Sequence, residues 1–176
     1  MARKAGKKMR GTKDFRPMDM KAYSIDDRFW KNKMEVVRTK MIPYQWKALN
    51  DLVEDAAPSH CVKNFRIAAG MEKGDFQGCV FQDSDLAKWL EAVGYTLAWK
   101  KDRELEQMAD EVIAVIEKAQ QPDGYLDTYY IINGLEKRWT NLRDNHELYC
   151  AGHMIEAGIA YYLGPGKHTL LDVVKR

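Results

Sequence analysis

SDLAKWLEAVGYTLAWKKDRELEQMADEVIAVIEKAQQPDG, residues 84–124, decides the fold class. Leu86, Trp89, Leu90, Val93 and Leu97 recur at the spacing of one helix face. Asp83 or Ser84 stands where a side-chain oxygen accepts the first unpaired backbone N–H groups. After a short KKDR connection, Leu105, Met108, Ala109, Val112, Ile113, Ile116 and Ala119 repeat the pattern until Pro122-Asp123-Gly124 turns the chain. Two long amphipathic helices joined so briefly predict a helical hairpin.

Working outward, Asp144 with Glu147 three residues on reads as a capping box. It opens a third long helix carrying Leu148, Gly152, Ile155, Ile159 and Tyr162, which Gly164-Pro165-Gly166 ends. HTLLDVVKR (168–176) starts one more amphipathic element, with no evident partner for Leu170, Leu171, Val173 and Val174. Upstream, Tyr23 to Ile25 reads as a short extended entry. Asp26 or Asp27 caps a helix through Phe29, Trp30, Val36, Val37 and Met41. Pro43 either kinks it or opens a second helix, PYQWKALNDLVED, that ends before Pro58. Residues 58–83 hold Gly70, Gly74 and Gly78 and read as a long loop. Helix pairs starting near Ser84 and Asp144 give the rhythm of a circular array of hairpins.

The 176 residues, 45% of them hydrophobic, suffice for one globular domain with a sizeable core. Met1 to Ala22 holds eight Lys or Arg against Asp14 and Asp19, a charge of +6 that leaves −4 for the remainder of a +2 chain. Without aromatic interleaving or an apolar period, this stretch reads as a solvated tail rather than a nucleic-acid or membrane arm. Neither a secretory leader nor a membrane-spanning run is evident, so the expected location is the cytoplasm. Cys61, Cys79 and Cys150 lack C-x-x-C spacing and read as buried or half-buried free thiols, not a disulfide framework or zinc knuckle.

Two polar clusters flank the hairpin: GDFQGCVFQDSD (74–85) before it and QQPDGYLDT (120–128) after it. In an antiparallel pair both lie at one end. Phe81, Gln82, Asp83 and Asp85 then converge with Gln120, Gln121, Asp123 and Asp127 on a small, hydroxyl-rich ligand, since carboxylates and amides offer the paired acceptors and donors that sugar hydroxyls need. The plainer reading makes Asp83 a cap and Pro-Asp-Gly a turn. His146, opening the third helix in NHELYC, is either a rim ligand or a surface histidine. His146 and Cys150 do not make a metal site, and His153 lies about 10 Å further along the axis. His153 and Glu156 read as a hydrogen-bonded polar seam between helices. Phosphate loops, G-x-S-x-G and H-E-x-x-H are absent. Asp83, Asp85, Asp123 and Asp127 include possible carboxylate pairs for glycoside hydrolysis, at separations sequence does not reveal.

IPYQW (42–46), AAGMEKGDFQGCVFQDSDLAKWLEA (68–92), AQQPDGYLDTYY (119–130) and HELYCAGHMIEAGIAYY (146–162) together resemble the bacterial β-L-arabinofuranosidase family of glycoside hydrolases, in the family's order. The resemblance implies an all-α fold, the N-terminal portion of an incomplete (α/α)6 barrel over 23–176. It implies retaining cleavage of β-L-arabinofuranosides in a full-length parent, by a zinc-bound cysteine thiolate with a glutamate acid/base. It places those catalytic groups and the zinc beyond Arg176, so the chain is expected to be an inactive N-terminal piece with no catalytic or metal-ligating residue of its own. His146 matches the family's sugar-contacting histidine and Phe81 and Gln82 match the pocket-side block; with the neighbouring Asp83, these four are the expected substrate-binding residues. The expected partner is a small arabinofuranoside, with no nucleic acid and no membrane. The alternative is a stand-alone helical carbohydrate-binding or structural module without catalysis.

Overall fold

The computed structural model describes residues 18–176, whose regular structure is entirely helical. The tail reading of 1–22 falls mostly on residues outside this range. The elements are α1 (Arg28–Val36), α2 (Ile42–Leu49), α3 (Cys61–Ala68), α4 (Asp83–Trp99), α5 (Arg103–Ala119), α6 (Thr128–Asn133), α7 (Glu147–Leu163) and α8 (Thr169–Val174).

Asp27 caps α1 by accepting from the Trp30 backbone N–H at 2.9 Å. Pro43 neither breaks the helical path nor ends it sharply: a π-helical turn over Val37–Met41 joins α1 to α2 without leaving helical backbone. The wider turn accommodates a proline ring that would collide with the Thr39 carbonyl in α-helical register. The expected run to Asp55 is too long. α2 stops at Leu49, where Asn50 and a left-handed Asp51 turn the chain.

The reading of 58–83 as a loop is also corrected, because α3 lies within it. Its Cys61, Val62 and Phe65 are fully buried, but eight residues are too few to show a sustained period. The usual capping signal is missing too: its first flanking residue is a left-handed His60 with no side-chain cap.

The central hairpin forms as expected. Leu86, Leu90 and Val93 of α4 and Ala109, Ile113 and Ile116 of α5 enter one core. Asp102 caps α5 through the Leu105 N–H at 3.1 Å, and the 121–125 turn closes with Gly124 at φ 88°. Trp89 stacks at 4.5 Å on Trp46 and donates its indole N–H to the Ile42 carbonyl, fixing α2 on α4.

α4 and α7 form the tightest helix pair and run parallel, since Lys88 meets Tyr149 near one end and Gly94 meets Ala160 near the other. A Cβ on Gly94 would stand 2.6 Å from the Ala160 carbonyl carbon, so only glycine permits this approach. With α5 returning antiparallel outside them, the chain builds an arc of helical hairpins.

Two expectations about the last helices fail. α7 buries Cys150, Met154, Ala157, Gly158 and Tyr161, whereas Leu148, Ile155, Ile159 and Tyr162, the face read as core, remain exposed. α7 is apolar on two faces, and α4 selects the small-residue face because it permits the closer backbone approach. The final segment is not without a partner: Leu170 and Val173 of α8 are fully buried against α5 and α7, and the Gln120 amide donates to the Val173 carbonyl at 2.8 Å.

Candidate functional site

The N-termini of α4 and α7 lie side by side, and the loops feeding them carry the expected residues. Phe81, 40% exposed, sets its ring 5.2 Å from that of His146. His146 precedes α7 in left-handed backbone, φ 58°, and its Nδ1 lies 2.7 Å from the Asp144 carbonyl. A carbonyl only accepts, so Nδ1 carries the proton and the Nε2 of the neutral ring is left as an acceptor. The imidazole is thereby committed to one tautomer at the rim. The expected Asp144–Glu147 capping box does not form: no side chain caps α7, and Glu147 turns into the core.

The other two expected ligands are engaged by the protein itself. Gln82 accepts from the Cys79 N–H at 3.2 Å and donates to Ser59 Oγ at 3.3 Å and Asp85 Oδ2 at 2.7 Å, holding the 78–85 loop together. Asp83 is 4% exposed, and both its oxygens accept from Thr128, one from the backbone N–H at 2.7 Å and one from the hydroxyl. It neither caps α4 nor offers a free oxygen to a ligand. It ties the two polar clusters to each other, so the antiparallel placement read from sequence is realised through a buried bond.

The second cluster is also mostly structural. Asp127 caps α6 through the Tyr130 N–H at 3.1 Å and is 1% exposed, with Oδ2 lacking a partner. Burial raises the carboxyl pKa of both Asp83 and Asp127, and the charge of Asp83 raises that of Asp127 further. Asp123 is held below the usual carboxylate range by its hydrogen bond from Arg138, which pairs with it at 2.6 Å. Gln121 donates to the Ala119 carbonyl.

Around His146, α4 and α7 add groups that sequence reading left unassigned. Tyr149, one turn on, lies 5.8 Å from His146 and 4.5 Å from His153, and its hydroxyl accepts from Lys88 at 2.9 Å. Lys88 also lines a cavity of about 550 Å³ with Gln45, Gln82 and Asp85, between α2 and α4. Its position one turn after Ser84, on the polar side of α4, was the available signal. The expected inter-helix seam at His153 and Glu156 is instead a bond within α7, at 3.0 Å. A second cavity, about 310 Å³, is lined by Asp83, Asp127, Glu147, Tyr125 and Trp139.

These residues do not fit a zinc–thiolate centre. Among the described residues no group of three or more His, Cys, Asp or Glu could hold a metal ion. Cys61 and Cys150 are buried, and burial pushes both thiols up, away from the thiolate that zinc or a nucleophile needs. Cys79 is exposed, which corrects its reading as a buried or half-buried thiol.

Residues 23–176 match the family described as β-L-arabinofuranosidase, GH127 catalytic domain. The chain belongs to this GH127 family of glycoside hydrolases. It is 39% identical over 169 residues to a non-reducing end β-L-arabinofuranosidase of Bifidobacterium longum subsp. longum, an alignment covering 87% of this chain and 26% of that one. The crystal structure of a GH127 β-L-arabinofuranosidase from Geobacillus stearothermophilus T6 superposes with a TM-score of 0.85 at 60% identity, over 86% of this chain and 24% of that one. A solved GH127 β-arabinofuranosidase gives 0.78 at 28% identity, over 90% and 25%. The chain thus spans about a quarter of the length of these GH127 relatives, and its hairpin arc is part of a helical barrel. The match disfavours a stand-alone helical module of another kind. Among the described residues no helix is long and apolar enough to cross a membrane.

Proposed function

We propose that this chain supplies substrate-binding residues of a GH127 enzyme that hydrolyses β-L-arabinofuranosides. The observation that carries this reading is the rim pairing of His146 with Phe81. An imidazole whose Nδ1 donates to Asp144 presents a bare Nε2 acceptor beside a half-exposed aromatic ring. A furanoside needs those two features together, an acceptor for a hydroxyl proton and an apolar surface for the carbon face of the ring. Phe81 and His146 are the proposed contacts. Gln82 shapes the loop that presents Phe81, and Asp83 joins the loops beneath.

Binding alone does not lower the barrier of a retaining glycosidase, which requires a nucleophile and an acid/base group. Burial of Cys61 and Cys150 pushes both thiols up, away from the thiolate that a nucleophile needs. In the intact enzyme, zinc, thiolate and glutamate are proposed to come from residues other than these. Location in the cytoplasm belongs to the same proposal.

Titration of the chain with methyl β-L-arabinofuranoside, followed by the imidazole resonances of His146, tests the reading. The expected result is a saturable shift at His146 that disappears in Phe81→Ala, with no release of arabinose at any concentration. Unmoved His146 signals would refute sugar binding at this rim, and arabinose release by the purified chain would refute the division of labour.

A further inference from the structure

Glu147 is chemically out of place. A carboxylate in the first turn of a helix ordinarily faces water, yet Glu147 is 1% exposed. Two donors hold it: Oε1 and Oε2 share the Trp139 backbone N–H, each at 3.0 Å, and Oε1 also accepts from the Tyr125 hydroxyl at 2.5 Å. One side chain therefore joins three segments, the 121–125 turn, the corner at Trp139 and the start of α7. The partners are themselves braced. Tyr125 and Trp139 meet edge to face at 5.1 Å, Arg138 pairs with Asp123, and Asp123 accepts from the Tyr125 N–H.

His146 is the residue immediately before Glu147. It sits at φ 58°, a left-handed conformation that a residue bearing a Cβ holds only where its surroundings over-determine it, and no side chain caps the helix to help. Two sets of bonds flank this backbone: the His146 ring donates to the Asp144 carbonyl, and the next residue, Glu147, accepts from Trp139 and Tyr125. With the carboxylate anchored inward, the adjacent residue is directed to the rim, where its ring meets Phe81.

We propose that Glu147 is a positioning residue: by accepting from Trp139 and Tyr125 it fixes the left-handed backbone at His146 and thereby aims the imidazole at the ligand. The inference rests on the reading of His146 as a sugar contact, but its geometric half stands on the protein alone. It also accounts for two adjacent polar residues, His146 and Glu147, pointing in opposite directions, which a capping box does not.

The test measures cross-relaxation between the His146 and Phe81 rings in the 176-residue chain. It compares wild type, Glu147→Ala, Glu147→Gln, and Glu147→Gln combined with Tyr125→Phe. Glutamine keeps an acceptor for the Trp139 N–H, so the ring contact is expected to survive in Glu147→Gln. It is expected to be lost in Glu147→Ala while the Thr128 amide signal, a reporter of the bond to Asp83, stays in place. A side chain that only stabilises the fold would lower the melting temperature without separating the two rings, and that outcome overturns the proposal. Should Glu147→Ala fail to fold, the double variant decides: a ring contact as strong as wild type overturns the proposal, and a weakened one beside an intact Thr128 signal supports it. Adding methyl β-L-arabinofuranoside separates the two claims. Loss of the ring contact in Glu147→Ala with no sugar response in wild type leaves the positioning intact and removes the binding reading. A sugar response that persists unchanged in folded Glu147→Ala removes the positioning instead.

Discussion

Replacing Thr128 by valine isolates the hydroxyl that links the two polar clusters. Thr128 is fully buried, and its hydroxyl donates to one oxygen of Asp83 while its backbone N–H donates to the other. Valine keeps the shape and the N–H but sets a methyl against a buried carboxylate. A hydrogen bond to a charged group contributes about 1.5–3 kcal/mol, and leaving its acceptor short of a donor recovers none of the desolvation already incurred. A loss of about 2 kcal/mol is expected, which for a chain of this size lowers the melting temperature by roughly 4–8 °C. Urea denaturation at pH 7 with Thr128→Val, Asp83→Asn and the double variant provides the assay. The two changes act on one bond, so the double variant is expected to lose clearly less than the sum of the singles. A Thr128→Val stability within about 0.5 kcal/mol of wild type, or strict additivity, would refute the assignment of this bond as the tie between the hairpin's two ends.

Packing and charge give two further expected outcomes. Gly94→Ala places a Cβ 2.6 Å from the Ala160 backbone, where no side chain can move aside. Overpacking of this kind costs about 1–3 kcal/mol, so calorimetry should show a lower melting temperature, and an unchanged one would mean that α4 and α7 are not held this close. Asp83 and Asp127 have carboxyl pKa values raised by burial, so the folded chain binds their protons more tightly than the unfolded chain does. Their contribution is unfavourable at neutral pH and is relieved as pH falls toward the ordinary carboxylate range near about 4. Denaturation midpoints of wild type should therefore decline less on acidification than those of Asp127→Asn, and parallel curves would contradict the raised values.

Much of the fold was legible because it follows from local spacing. The α4–α5 hairpin shows its apolar period over four turns in each helix, and Pro122-Asp123-Gly124 marks its end, so no tertiary information was needed. The four blocks that resemble the β-L-arabinofuranosidase family pointed to it from sequence, and the family match over 23–176 bears the reading out. α3 and α6 were not legible: eight and six residues span too little of the period to stand out, and neighbours rather than propensity hold them.

At the site, sequence alone determined that His146 opens a long helix and that Phe81 stands just ahead of another. That the two rings meet is a tertiary fact, set by the parallel approach of α4 and α7 through Gly94 and Ala160. Acidic residues showed the limit most plainly. Asp83, Asp127 and Glu147 have the same chemistry in the sequence as any surface carboxylate, and only the structure turned all three inward. It made one a tie to Thr128, one a helix cap and one an anchor for Trp139 and Tyr125. Periodicity records which residues share a face of a helix. Which of two apolar faces of α7 is buried, and which carboxylate finds buried donors, depends on partners distant in the chain, and local spacing does not encode them.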